Sequence, residues 1–234
     1  MSLPVINTPT YTLVQPSNKK KVTFRPFLVK EEKILLMALE EGDDTSLANG
    51  LKQIINNCTF EKLDVEILPL FDLEYMFLRI RSKSVGEIAE LKLLCEDDGE
   101  TYADVSVPLE EIEVTFPEGH TNKIPLNDEI TMEMRYPTFE LLGTGVDGLD
   151  VEKTFGLIGN CIDKVVEGET VYERTDWTSK DLDTFLDSLT SKQFQDVQKF
   201  FETMPKLSKE IEFENPNTKK KNKITLEGLN SFFV

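Results

Sequence analysis

His120 is the single histidine in the chain, and general acid–base or nucleophile-activating chemistry runs most often through histidine. It sits in Pro117-Glu-Gly-His-Thr-Asn122, a Pro/Gly-rich stretch that reads as an exposed turn, and no Gly-x-Ser-x-Gly elbow supplies a nucleophile. Gly143-Thr-Gly145-Val-Asp-Gly148 has the Gly-x-Gly-x-x-Gly spacing of loops that admit a pyrophosphate, with Asp163 or Glu167 roughly where a ribose-binding acid falls. That chemistry needs a buried strand before the loop and a helix N-terminus behind it. Here Tyr136-Pro-Thr-Phe-Glu-Leu-Leu142 precedes the glycines and reads as a helix start, so a connector is the expected role.

Carboxylates are abundant, 43 Asp and Glu against 26 Lys and Arg, but abundance alone defines no pair at the separation that glycoside hydrolysis requires. Glu96-Asp97-Asp98-Gly99-Glu100 continues into a strand and lacks the twelve-residue calcium pattern, so it reads as an Asp-rich hairpin turn. Lys19-Lys-Lys21 and Lys219-Lys-Lys-Asn-Lys223 interrupt the acidic background between extended pieces. They read as solubilised hairpin tips that protect strand edges, with transient contact to an acidic partner or the inner membrane surface as the alternative. No aromatics interleave with them as single-stranded nucleic acid binding would require. From these residues no catalytic site, cofactor or metal is expected.

The formal net charge of −17 argues further against a nucleic-acid partner, because affinity for phosphate backbones comes from Lys and Arg displacing counterions. A hydrophobic share of 39% and a charged share of 29% are those of a globular protein. Cys58, Cys95 and Cys161 are dispersed and odd in number, which fits buried free thiols in a reducing compartment. No apolar run approaches the roughly 20 residues of a transmembrane segment. Met1-Ser-Leu-Pro-Val5 has no basic flank and apolar core, so no secretory signal is read and the cytoplasm is the expected location.

The elements that must position these residues fall into three stretches. Residues 1–83 read as an extended arm, with a turn at Pro16-Ser-Asn18, followed by helices. These run from Lys30 to Glu41 before Gly42, from a cap at Thr45 through Leu47, Leu51, Ile54, Ile55 and Cys58, and from a cap at Asp72 through Leu73, Met76, Phe77 and Ile80. Residues 84–135 alternate apolar and polar side chains over four strand-like runs, and read as one antiparallel meander packed on the first stretch. Residues 136–234 read as a helical part with a small hairpin around Glu167-Gly168. Helices capped by Thr178 and by the Thr190/Gln193 box follow, then a terminal hairpin across Asn-Pro-Asn-Thr-Lys. The expected class is α+β: an antiparallel β meander flanked by amphipathic helices, with an N-terminal extended arm and a C-terminal β/aromatic tail. The three stretches could equally form one continuous domain, and no internal repeat is read.

Two stretches are densest in motif. Arg25-Pro-Phe-Leu-Val-Lys-Glu-Glu-Lys33 and Leu68 to Gly86 each join a Pro-aromatic entry to a helical apolar period with charges beside it. Arg25, Pro26, Phe27, Phe71, Asp72, Arg79 and Arg81 are therefore candidate contact residues, with surface ion pairing as the other reading of Arg79 and Arg81. At the end of the chain Leu229, Phe232 and Phe233 are either tucked into a core or offered to a partner.

Four blocks carry a resemblance: RPFLVKEEKILLMALE (25–40), LPLFDLEYMFLRIRSKSVGE (68–87), QFQDVQKFFETMP (193–205) and EGLNSFF (227–233). In that order they resemble the baseplate hub assembly family of T-even-type phages with contractile tails. The resemblance implies a non-enzymatic factor that helps build the central hub of the baseplate inside the host cell, by contact with other hub proteins. It leaves open a permanent subunit of the hub in the virion tail. Some relatives pair cysteines before the last block, as for a zinc ribbon. Here Asn215-Pro-Asn-Thr-Lys-Lys-Lys-Asn222 stands in their place, so no zinc site carries over. Readings from other classes are a nucleotide- or glycan-directed enzyme, and an acidic decoy that mimics nucleic acid.

Overall fold

The computed structural model describes residues 6–138 and 151–232. Its elements begin with β1 (Tyr11–Val14), β2 (Lys21–Phe24), α1 (Val29–Glu41), α2 (Asp44–Cys58), α3 (Leu70–Ser84), β3 (Ile88–Leu94), β4 (Tyr102–Pro108) and β5 (Glu113–Thr115). They continue with β6 (Lys123–Pro125), β7 (Ile130–Met134), α4 (Val151–Asn160), β8 (Ile162–Glu167), β9 (Thr170–Glu173), α5 (Ser179–Asp187) and α6 (Ser191–Thr203). A last hairpin, β10 (Lys206–Glu214) and β11 (Lys221–Glu227), leads to a 3-10 turn at Leu229–Phe232. All strand pairs among the described residues are antiparallel, and the class is α+β.

Contacts divide the chain into two units: residues 1–115 with 206–234, and residues 116–205. This division differs from the expected stretches 1–83, 84–135 and 136–234, and strand pairing is the reason. The four runs read as one meander enter three sheets: β3 pairs with β4, β5 pairs with β10, and β6 and β7 open the sheet β6-β7-β8-β9. A four-stranded meander does exist, but it is that last sheet. Apolar alternation marks a strand and its buried face; it carries no information about the partner strand.

Unit 1 is organised around α3. Phe71, Leu73, Tyr75, Met76, Phe77, Leu78 and Ile80 are all buried, so this helix is apolar on most of its circumference and central. It touches α2, β5, β10, the 3-10 turn at Leu109–Glu111 and the C-terminal turn. Each side chain withdrawn this fully contributes about 1.5–3 kcal/mol. α2 is capped by Asp43, whose carboxylate accepts from the Ser46 N–H at 2.8 Å, and not by Thr45. α1 ends at Gly42 with φ +72°, as the sequence predicts. The α1–α2 crossing is tight: a Cβ on Gly50 would stand 3.0 Å from the Cβ of Ala38.

The two lysine-rich tips are copies of one turn. In Gln15-Pro-Ser-Asn-Lys-Lys-Lys21 the Gln15 N–H donates to the Lys20 carbonyl at 2.9 Å, and Lys19, at φ 59°, donates back to the Gln15 carbonyl at 2.9 Å. In Asn215-Pro-Asn-Thr-Lys-Lys-Lys221 the Asn215 N–H donates to Lys220 at 2.9 Å, and Lys219, at φ 61°, donates back at 3.0 Å. The first residue of each turn is a buried amide. Gln15 Nε2 donates to Asp72 at 2.6 Å, while Asn215 Nδ2 donates to Asp97 at 2.8 Å and to Asp98 at 2.9 Å.

Unit 2 backs its meander with three helices. Its core is Ile124, Met132, Met134, Ile158, Cys161, Ile162, Leu186, Val197 and Phe200. α5 and α6 start at Thr178 and Thr190, with the capping partners Asp181 and Gln193. A Cβ on Gly159 of α4 would meet the Leu182 Cδ2 of α5 at 2.7 Å, so glycine sets that approach.

Candidate interaction surfaces

The residues with chemical potential are held by internal contacts. His120 Nδ1 lies 3.0 Å from Thr203 Oγ1 and Nε2 lies 3.1 Å from Tyr136 Oη, with the ring packed against both Tyr136 and Phe200, which also stack on each other. Burial lowers its pKa, which favours the neutral ring. Both nitrogens are engaged, and the residue belongs to the aromatic packing of unit 2. In the acidic turn, Asp97 also accepts from Thr218 Oγ1 at 2.5 Å and from Asn222 Nδ2 at 2.9 Å. These carboxylates fasten the C-terminal hairpin to the β3–β4 turn. Hydrogen bonds from Thr101, Asn215 and Glu100 depress the Asp98 pKa. Among the described residues no group of three or more His, Cys, Asp or Glu is placed to hold a metal. No helix there is long and apolar enough to cross a membrane. Cys58, Cys95 and Cys161 are free and buried; burial pushes the Cys58 and Cys161 thiols up to about 12. The glycine loop 143–148 lies outside the described residues.

Several of the candidate contact residues have inward roles. Arg25 is buried and grips Glu31, which is 0% exposed, through Nη2–Oε1 at 2.9 Å and Nη1–Oε2 at 3.2 Å. The hydrogen bond to Glu31 raises the Arg25 pKa. For Glu31, burial acts upward, but the bonds from Arg25 and the Leu28 N–H outweigh it and its pKa falls. Arg25 Nη1 also donates to the Pro26 carbonyl at 2.9 Å, and the Phe27 N–H donates to Ser84 Oγ at 2.9 Å; Pro26 and Phe27 are half-buried. Phe71 is core. Asp72 does not cap α3, which begins two residues earlier after Pro69. Its carboxylate accepts from Gln15, the Ser17 N–H at 3.0 Å and the Ser17 hydroxyl, with burial raising its pKa.

Arg79 donates to the Leu109 and Ile112 carbonyls at 2.9 and 2.8 Å, and pairs with Glu113 at 2.7 Å over the Tyr75 ring. It clamps the turn before β5. Arg81 is half-buried. Leu229 is buried, and its N–H donates to Glu74 at 3.0 Å. Phe232 closes the C-terminal turn as backbone; its side chain and Phe233 lie outside the described residues.

Two surfaces escape the sequence reading. On α1, Val29 is 80% exposed, Leu36 60%, Met37 51% and Leu39 55%, while Glu31 and Ala38 face inward. Single exposed apolar side chains are ordinary, but here four share the solvent side of a helix of 13 residues, interleaved with the exposed charges of Glu32, Lys33 and Glu40. Apolar residues recur all around this helix, so periodicity picks out no buried stripe and no bare one. In unit 2 a cavity of about 290 Å3 opens beside Trp177, Tyr172 and Phe185, over Ile130, Ile162, Val165 and Leu182, with Glu167 and Asp181 also lining it. Its lining comes from β8, β9, Trp177 and α5, joined by Ile130 of β7, and only the fold brings these side chains around one cavity.

The architecture thus defines an α+β protein that leaves large apolar side chains of a helix exposed on one unit and an aromatic cleft open on the other. A model of the T4 bacteriophage base plate protein family matches residues 8–234, nearly the whole chain, and the chain belongs to that family. Its setting is therefore the tail baseplate of a phage, among other baseplate proteins. Nothing among curated proteins or solved structures matches it.

Proposed function

We propose that the chain works without catalysis, as an assembly factor for the central hub of the baseplate, binding other hub proteins in the host cytoplasm before the tail is complete. The observation that carries this reading is the set of four large apolar side chains that α1 leaves exposed, on a chain of the baseplate family. Water-exposed Val29, Leu36, Met37 and Leu39 gain the free energy of burial, about 25 cal/mol per Å2 of apolar surface, only when another surface covers them. The internal engagement of both His120 nitrogens supports the absence of a histidine-driven reaction. A permanent hub subunit would use the same face, and membership of a base plate protein family accommodates that second reading equally. Stoichiometry in purified tails separates the two.

Co-expression with the phage's hub proteins, followed by affinity capture, tests the proposal. The wild-type chain is expected to retain at least one hub protein. Leu36→Glu with Leu39→Glu is expected to lose it while the melting temperature stays unchanged, because both side chains already face solvent. Capture of no hub protein, or undiminished capture by the double variant, would overturn it.

A further inference from the structure

We propose that the cleft of unit 2 is a binding site for an arginine side chain presented by a protein partner. The cleft joins an apolar floor to aromatic walls and a fixed negative rim. Ile162, Val165, Leu182 and Phe185 suit the methylene stem of a long side chain, and about 290 Å3 gives it room. Trp177 and Tyr172 also line the cleft, and aromatic side chains suit a flat guanidinium better than an ammonium. Glu167 is held in place by Tyr172, whose hydroxyl donates to its Oε2 at 3.1 Å. Asp181 is held by the capping box, through the Thr178 N–H at 2.9 Å and hydroxyl at 2.7 Å. Carboxylates anchored in this way lose little freedom when a cation arrives.

Charge selects this occupant over others. The segment 162–187, which supplies most of the lining, carries eight acidic side chains against three basic ones. Two of those three are engaged: Lys164 pairs with Glu133 at 3.4 Å, and Arg174 donates to the Asn160 carbonyl at 2.9 Å. A second copy of this chain, at −17, would be repelled. A neutral apolar side chain would fill the floor but gain nothing from the rim. The inference takes only its protein ligand from the proposed function. Its test does not involve α1, so either can fail without the other.

Trp177 is the single tryptophan of the chain, so fluorescence excited selectively in tryptophan, beyond the absorption of the five tyrosines, reports on this cleft. The full-length protein is titrated with acetyl-Leu-Arg-Leu-amide and with the same peptide carrying citrulline, which keeps the shape and removes the charge. The arginine peptide is expected to give a saturable change. The citrulline peptide, and the arginine peptide on Glu167→Gln, are each expected to bind about fivefold or more weakly, as loss of a charge-assisted contact predicts. Glu167→Gln keeps an acceptor for the Tyr172 hydroxyl and should not disturb folding, and Glu202→Gln on α6 controls for net charge by leaving binding unchanged. No saturable change with the arginine peptide, equal binding of the citrulline peptide, or full binding by Glu167→Gln would each overturn the assignment. So would a response to chitotriose with none to the arginine peptide, which would make the cleft a glycan site.

Discussion

The carboxylate of Glu74 accepts the Leu229 N–H where burial pushes its pKa up to about 7, with that hydrogen bond working the other way. An unfolded glutamate titrates near 4.3, so between roughly pH 4.3 and 7 the folded chain holds a proton that the unfolded chain has lost. Stability from this group is therefore complete below the lower limit, falls as pH rises through the window, and is level above it. Relative to wild type, Glu74→Gln is expected to gain stability between pH 5 and pH 7.5, on the order of 1–3 kcal/mol. Denaturant melts at the two pH values check this, and a constant difference between the proteins would refute it. Other charged residues were only partly legible. Asp72 and Arg79 follow the register of an amphipathic helix, which places them near its apolar stripe. What the register could not show is that a hairpin tip at Ser17 and a turn at Leu109 come down upon them. A charge beside an apolar stripe looks the same in sequence whether it meets a partner protein or a distant part of its own chain.

Among the elements, the twin turns show how a buried amide converts a flexible tip into an anchor. Asn215 is 0% exposed and bonds both Asp97 and Asp98, so Asn215→Ala leaves two carboxylates short of a donor. A loss of about 1–3 kcal/mol is expected from thermal or denaturant unfolding, against a few tenths for Asn217→Ala at the exposed tip. A neutral outcome at Asn215 would mean that the hairpin is held by its strands alone. The two tips share a proline and three lysines at the same offsets, so their kinship is partly legible in sequence. What the sequence hides is that the first residues, Gln15 and Asn215, differ in type yet are both buried amides that bond carboxylates. Helices capped by Thr178 and Thr190, the break at Gly42 and the β8–β9 hairpin were legible, since those signals are local. The pairing of β5 with β10 was not, because about ninety residues separate them and nothing local encodes so distant a partner.

At the scale of the whole molecule, that pairing makes unit 2 an insertion. The chain leaves unit 1 after Thr115 and re-enters at Lys206, and these two residues face each other in the β5–β10 ladder. Joining Thr115 to Lys206 through an Asn-Gly turn is expected to give a folded protein of unit 1 alone, because a two-residue hairpin closes such a rung. Cooperative unfolding of that chain by circular dichroism checks the expectation; a molten product would show that unit 1 depends on the insert. Net charge was legible at this scale. The open face of α1 and the cleft were not, because exposure is a property of the assembled fold. The rung at Thr115 and Lys206 also fixes a mechanical weak point: a force that draws these two residues apart acts on adjacent ends of one antiparallel pair, so the ladder opens from Thr115/Lys206 toward Glu113/Ser208, one pair after another, instead of resisting in shear.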